Sequence, residues 1–342
     1  MDEADFWLTF GSETCALNPL PRSDVVKVNL PKVRPLDAQF GVWPRKNLPE
    51  SVSEYLFEDS IVENSETLRQ TFAILDAAKT SALPSMLQES GLANVSLFNG
   101  KAAEDLAEVA PYLVQLDVNN DFVRRLFTDT DSRVGLWRCQ LGIFIKSDAT
   151  LEKLQRVFRK FTRVRDQEGK WSFFRFWEPE VASVHFEYLL RHSELAQRWF
   201  HTADGHSINY TIFLLDGCAA QYSMKKSTSP DVSPPFQLQN AEKQAFKARR
   251  MEKSLELIRH RLARLFPDKS TSQIHDTVQM ITARFVPYGF RNTGSLFALS
   301  WFELQHGPNF DQKMPLKMLR DLREVNTPED LRIAKIRACL NF

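Results

Sequence analysis

Residues 171 to 180 read Trp-Ser-Phe-Phe-Arg-Phe-Trp-Glu-Pro-Glu, WSFFRFWEPE, and their reading decides what the first half of the chain is. In an extended backbone Trp171, Phe173, Arg175 and Trp177 share one face, while Ser172, Phe174 and Phe176 share the other. Both faces are then largely apolar, which predicts a central strand in a sheet covered by helices. Arg175 between Phe173 and Trp177 is costly to bury unless its guanidinium finds a carboxylate, and Glu178, Glu180 or Asp76 can supply one. Pro179 ends the strand and suits the first turn of the helix EVASVHFEYLL. Two readings stand at this point. The segment is a strand-to-helix junction fixed by an internal ion pair, or Arg175 and Glu178 are a catalytic pair in a site lined by aromatics.

The flanking sequence supports the first reading through its alternation. TFAILDAA (71–78) is a compact apolar run, SALPSMLQESG (81–91) a short helix stopped by glycine, and NVSLFNG (94–100) a second strand. AAEDLAEVA (102–110), PYLVQLD (111–117), NDFVRRLF (120–127) and LWRCQLGIFIKS (136–147) continue helix, strand, helix, strand. From Asp148 to about Arg165, Leu151, Leu154, Val157, Phe158, Phe161 and Val164 form one helical stripe, with Ser147 or Asp148 as its cap. DQEGK (166–170) turns the chain into WSFFRFW, and NYTIFLLD (209–216) closes the lobe. After it every periodic segment is helical. Ala241, Ala248, Met251, Leu255, Ile258, Leu262 and Leu265 mark one long helix, with others at about 271–285, 292–305 and 315–323. Thr327-Pro-Glu-Asp opens one more.

The expected fold class is an α/β lobe, a mixed sheet flanked by helices, followed by an all-α helical lobe. The expected divisions are an extended N-terminal segment at 1–68 packing on the first lobe and the α/β domain at 69–216. A Ser/Pro/Lys-rich linker at 217–236 and a helical lobe at 237–342 follow.

Composition narrows the function. Hydrophobic residues make 43% of the 342 and charged residues 25%, which excludes general disorder. A net charge of +1 argues against a chain built to hold nucleic acid, although the basic face of the helix at 240–264 keeps a local acidic partner in view. The start, Met1-Asp-Glu-Ala-Asp, is acidic where a signal peptide is basic, and no apolar run is long enough to span a bilayer, so the expectation is soluble and cytoplasmic. Cys15, Cys139, Cys218 and Cys339 form no CxxC pair, and the seven histidines form no i,i+4 ligand pair. GxSxG, HExxH, GxxxxGK[ST] and GxGxxG are missing from the sequence. The missing motifs move the expectation toward a binding or assembly protein with no metal and no cofactor, and the Arg175/Glu178 pair stays open as the catalytic alternative.

The order of these motifs resembles a known family. FAILDAA with a downstream SLFNG, then VAPYLVQL, LGIFIKSDATLEKLQRVFRKFTRV, the DQEGK turn and FFRFWEPEV is similar to the effector adaptor-chaperones of bacterial type VI secretion, the Tap or TEC adaptors. The likeness covers about residues 70 to 200, and more loosely YGFRNTGSLFALSWFELQHGPNFD. The family junction usually reads Phe-Arg-Phe-Tyr-Asp-Pro, where this chain has Trp177 for tyrosine and Glu178 for aspartate. The resemblance implies that Asp76, Arg175, Trp177, Glu178 and Pro179 are structural family-motif residues. It further implies a non-enzymatic cytoplasmic protein that binds the N-terminal region of an effector toxin and loads it onto a VgrG or PAAR spike protein. No membrane and no nucleic-acid partner is implied. Arg249, Arg250, Phe290 and Trp301 are candidates for the wall that meets the partner. A hydrolase or transferase using Arg175 and Glu178, and a nucleic-acid-binding helical lobe, are the alternatives.

Overall fold

The apolar run at 71–76 forms a strand enclosed on both faces. In the computed structural model, which describes residues 24–58, 68–130, 135–192, 195–225 and 236–339, every side chain from Thr71 to Asp76 is buried. The elements around it are β1 (Val25–Leu30), α1 (Glu50–Leu56), β2 (Gln70–Asp76), α2 (Leu83–Ser90), β3 (Asn94–Ser96), α3 (Lys101–Asp105), β4 (Pro111–Gln115) and α4 (Asp121–Leu126). Then come β5 (Gly142–Ser147), α5 (Leu151–Arg159), β6 (Arg163–Asp166), β7 (Trp171–Phe173), α6 (Pro179–Arg191), α7 (Gln197–Phe200), β8 (Ile208–Phe213), β9 (Ala219–Met224), β10 (Gln237–Leu238) and α8 (Asn240–Leu265). Seven strands make one sheet in the order β1-β9-β8-β5-β2-β4-β3, with every neighbouring pair antiparallel. A second sheet, β10-β6-β7, has one parallel and one antiparallel pair.

The period of two along the central strands divides the core between the faces of the large sheet. Phe72, Ile74, Ile143, Ile145, Ile208 and Tyr210 point to one side, where α5, α6 and α7 cover them with Leu154, Phe158, Phe186 and Trp199. Ala73, Leu75, Phe144 and Phe213 point to the other, against Val52 and Leu56 of α1, Leu83 and Leu87 of α2, and Phe122 and Val123 of α4. This is the sheet flanked by helices that the sequence predicts.

Three sequence expectations are corrected. First, WSFFRFW is not a central strand. Its extended part stops at Phe173, at the margin of the small sheet, and Phe174, Phe176 and Trp177 enter the core from the turn that precedes α6. Apolarity at successive positions is shared by a two-sided strand and by a turn that plugs a core, and periodicity alone does not separate them. Second, the helix expected at 148–165 ends at Arg159. Arg163 and Arg165 are exposed while Val164 and Asp166 are buried, a period-two pattern that belongs to β6. Thr150 caps α5 by accepting from Lys153 N, whereas Asp148 accepts from Ser207 N at 2.9 Å. Third, the linker expected at 217–236 contains β9, a strand of the large sheet that pairs with β1 from the N-terminal segment. Residues 226–235 of that linker, and 1–23 and 59–67 of the N-terminal segment, lie outside the described residues.

The chain divides into Pro19–Phe246 and a unit that contains Lys247–Phe342. The division falls inside α8 because Phe246 packs with the first core, its ring 5.9 Å from Phe174. The second unit adds α9 (Thr271–Phe285), α10 (Thr293–His306), α11 (Leu316–Arg323) and α12 (Glu329–Cys339), at the positions that periodicity and capping predict. Ser270 and Gln273 form a reciprocal capping box at the start of α9. Its core joins Ile258, Leu262, Val278, Ile281, Phe285, Leu299, Phe302 and Ile336. No helix among the described residues is long and apolar enough to cross a membrane.

The contact between β5 and β2 leaves no room at Gly142, which lies opposite Leu75. A Cβ there would stand 1.7 Å from the Ile74 carbonyl oxygen, a backbone atom that cannot step aside without moving the strand. Gly142→Ala is therefore expected to lower the unfolding free energy by about 3 kcal/mol, read from chemical denaturation.

Candidate functional site

The segment 171–180 is held by three sets of polar contacts. Asp76 ends β2 and is 1% exposed; its carboxylate accepts Ala78 N at 3.0 Å, starting a single turn of 3-10 helix, and pairs with the guanidinium of Arg175. Glu178, half-buried in the turn before α6, lies 3.9 Å from Arg175 Nε and 3.4 Å from Lys79 Nζ. Asp76, Arg175, Glu178 and Lys79 thus alternate in sign and balance to zero. The Asp76 bond is the strong one, because it satisfies a buried charge. The two contacts of Glu178 are long and half-solvated, a geometry worth about 0–1 kcal/mol.

The second set lies under the aromatic plug. His185 of α6 and Glu242 of α8 are both fully buried, and His185 Nδ1 meets Glu242 Oε1. The imidazole is edge-on to Trp199, with centroids 4.3 Å apart, and to Phe174 at 5.3 Å. No spacing in the sequence singles out either residue. The available signal was positional. His185 lies on the apolar face of α6 with Ala182 and Leu189, and Glu242 stands one turn before Phe246.

The third set fixes the β6–β7 hairpin. Asp166 accepts Glu168 N at 3.0 Å and Lys170 N at 2.8 Å, closing the DQEGK turn, and Lys243 Nζ of α8 donates to it at 2.7 Å. The Lys243 hydrogen bond holds the Asp166 carboxyl below its usual range, against the opposing effect of burial, with Lys170 N and Glu168 N adding to the depression.

Outward from these contacts the hairpin presents a cation–aromatic face. Arg165 and Arg163 place their guanidinium carbons 4.7 and 5.3 Å from the Trp171 ring centroid. Phe173 meets Phe98 edge-on at 5.6 Å and Trp177 at 5.7 Å. Trp171 and Phe173 each remain 51% exposed, well above what a core aromatic shows.

The motif residues Asp76, Arg175, Trp177, Glu178 and Pro179 therefore do come together, with Trp177 and Pro179 as buried packing and Asp76 as the principal partner of Arg175. The four residues proposed for a partner wall do not form one. Phe290 is fully buried beneath Arg332, whose guanidinium carbon is 4.0 Å from its ring centroid. Trp301 is half-buried against Phe302 and Phe266, and of the two arginines only Arg250 is exposed. Large aromatics in the helical unit are consumed by its own core. An open cleft of about 440 Å³ in that unit is lined by other residues, Asn292, Ser295, Asp330, Ile333 and Arg337 among them. Among the described residues no cluster of three or more His, Cys, Asp or Glu is placed to hold a metal.

Residues 71–198 match the model of a family described as a domain of unknown function, DUF4123. No curated protein and no solved structure matches the chain. The DUF4123 match begins in β2 and ends in α7, so it contains the Asp76–Arg175 pair, the hairpin and the aromatic plug. Strands β1, β8 and β9, which complete the large sheet, lie outside it. So does α8, which supplies Glu242 and Lys243 to the DUF4123 segment.

Two measurements check these assignments. Asp76→Asn is expected to cost about 2–3 kcal/mol of unfolding free energy, less than the 3–5 of a fully buried pair because Arg175 keeps 37% of its side chain in water. Glu178→Gln should cost under about 1 kcal/mol. An Asp166 carboxyl lowered by folding adds stability above its unfolded pKa of about 3.9, and that stability is lost as pH falls through the folded value. Wild type should therefore melt above Lys243→Met at neutral pH, and the gap should narrow in melts recorded below about pH 4.

Proposed function

We propose that this chain is a cytoplasmic adaptor-chaperone of type VI secretion. It binds the N-terminal region of an effector toxin and hands that toxin to a VgrG or PAAR spike protein, acting by recognition and without turnover. The observation that carries the reading is the ordered set of motifs from FAILDAA to FFRFWEPEV, which falls on the segment matched by DUF4123. The geometry of the motif agrees with a scaffold role. Arg175, Glu178 and Asp76 are engaged with one another and with Lys79, and the aromatics between them fill the core. One surface of this segment open to a partner is the exposed face of Arg163, Arg165, Trp171 and Phe173, whose residue types are those enriched at interfaces.

The test is genetic and biochemical together. The tagged chain is expected to co-purify with the product of a toxin gene beside its own, and deleting the adaptor should leave that toxin insoluble or absent from the spike. A toxin that stays soluble and is loaded normally in the deletion strain refutes the reading.

A further inference from the structure

The hairpin that carries the exposed aromatic face also carries an open backbone edge. In the small sheet β7 pairs with β6 on one side and has no strand on the other among the described residues. Phe174 N donates to Thr162 O at 3.0 Å and Asp166 N to Lys170 O at 3.0 Å. In an antiparallel ladder such bonds fall at every second residue, so with the register Arg163↔Phe173 and Arg165↔Trp171 the bonded positions of β7 are 170, 172 and 174. The N–H and C=O groups of Trp171 and Phe173 therefore face away from β6. They form two donor–acceptor pairs, spaced as an added antiparallel strand requires.

The side chains beside that edge define what it accepts. Of the exposed charged residues between 163 and 173, Arg163, Arg165 and Lys170 are basic and Glu168 is acidic. Asp166, the other acid, is buried and taken by Lys243. Arg163 and Arg165 stand on the same face as Trp171 and Phe173, stacked against the indole. The hairpin is also held in shape before any partner arrives, by the Asp166 turn and by the packing of Phe173 on Phe98 and Trp177. A preformed edge spares the partner part of the ordering cost.

We propose that β7 takes up an extended segment of a partner polypeptide as an added strand, and that the segment carries acidic side chains at alternate positions on the face where Arg163 and Arg165 reach over the Trp171 indole from β6. Main-chain bonds to Trp171 and Phe173 supply affinity and the arginine pair supplies selectivity. The inference deepens the adaptor reading and rests on it for the claim that a polypeptide is the natural ligand.

The experiment uses the full chain and two fluorescein-labelled hexapeptides, Glu-Val-Glu-Val-Glu-Val and Lys-Val-Lys-Val-Lys-Val, followed by fluorescence anisotropy. The acidic peptide should bind at least about tenfold more tightly than the lysine peptide. Phe173→Pro removes an outward N–H that has no acceptor among the described residues, a position where an edge strand tolerates proline, and should weaken acidic-peptide binding about tenfold or more. Phe173→Ala, which keeps that N–H, should weaken it less. Should Phe173→Pro fail to fold by circular dichroism, the double variant Arg163→Glu, Arg165→Glu takes its place and should reverse the peptide preference. Equal binding of the two peptides, full binding by folded Phe173→Pro, or an unreversed preference in the double variant overturns the proposal. A wild-type dimer that Phe173→Pro converts to monomer does so too, because the occupant would then be a second copy of the chain. Toxin retained by folded Phe173→Pro overturns strand addition and leaves the adaptor reading standing. Wild type that binds the acidic peptide but no toxin does the reverse.

Discussion

The constraint on which the first unit depends is that β2 and β5 are buried on both faces. A strand whose successive residues all avoid water needs cover on both sides, and the large sheet consequently carries two separate cores. One is closed by ordinary amphipathic helices. The other is closed partly by a turn, because Phe174, Phe176 and Trp177 fill space between α5, α6 and the sheet that no regular element reaches. Each such side chain contributes roughly 1.5–3 kcal/mol on burial. The turn is consequently a structural element, and it delivers Arg175 to Asp76, a carboxylate 1% exposed that needs a cation beside it.

Buried polar pairs then decide where the first unit ends. Glu242 and Lys243 sit in the first turns of a 26-residue helix whose later residues belong to the second unit. Their partners, His185 and Asp166, lie on α6 and on the hairpin turn. A buried carboxylate without a partner is too costly to leave in place, so the beginning of α8 is fixed to the sheet unit.

Much of this was legible in the sequence, and the failures share one cause. Elements marked by capping chemistry or by a clean period, such as α9 with its Ser270 box or β2 with its apolar run, fall where they are expected. Pro179 marks the start of α6, and the Arg175 partner, Asp76, is one of the three carboxylates that the sequence offers. The misreadings occur where one local pattern serves two tertiary uses. The apolar run after Phe173 fits a strand or a plug, and the stripe continuing through Phe161 and Val164 fits a helix or a helix followed by a strand. A Ser/Pro-rich composition beyond Tyr222 hid the strand immediately before it. For the candidate site, sequence located the motif but not its exposed half. The exposure of Trp171 and Phe173 depends on β7 lying at the edge of a small three-stranded sheet, which local sequence does not show. Glu242 was invisible because its partner is 57 residues away.

Arg163 and Arg165 also bear on the solubility of the chain when it stands alone. An unpaired edge with two exposed aromatics is a template for aggregation, and natural sheets guard such edges with charge and brevity. Here the edge is three residues long and its aromatics lie beside guanidinium groups. The two arginines are the charge that flanks this edge, and its three residues are the brevity.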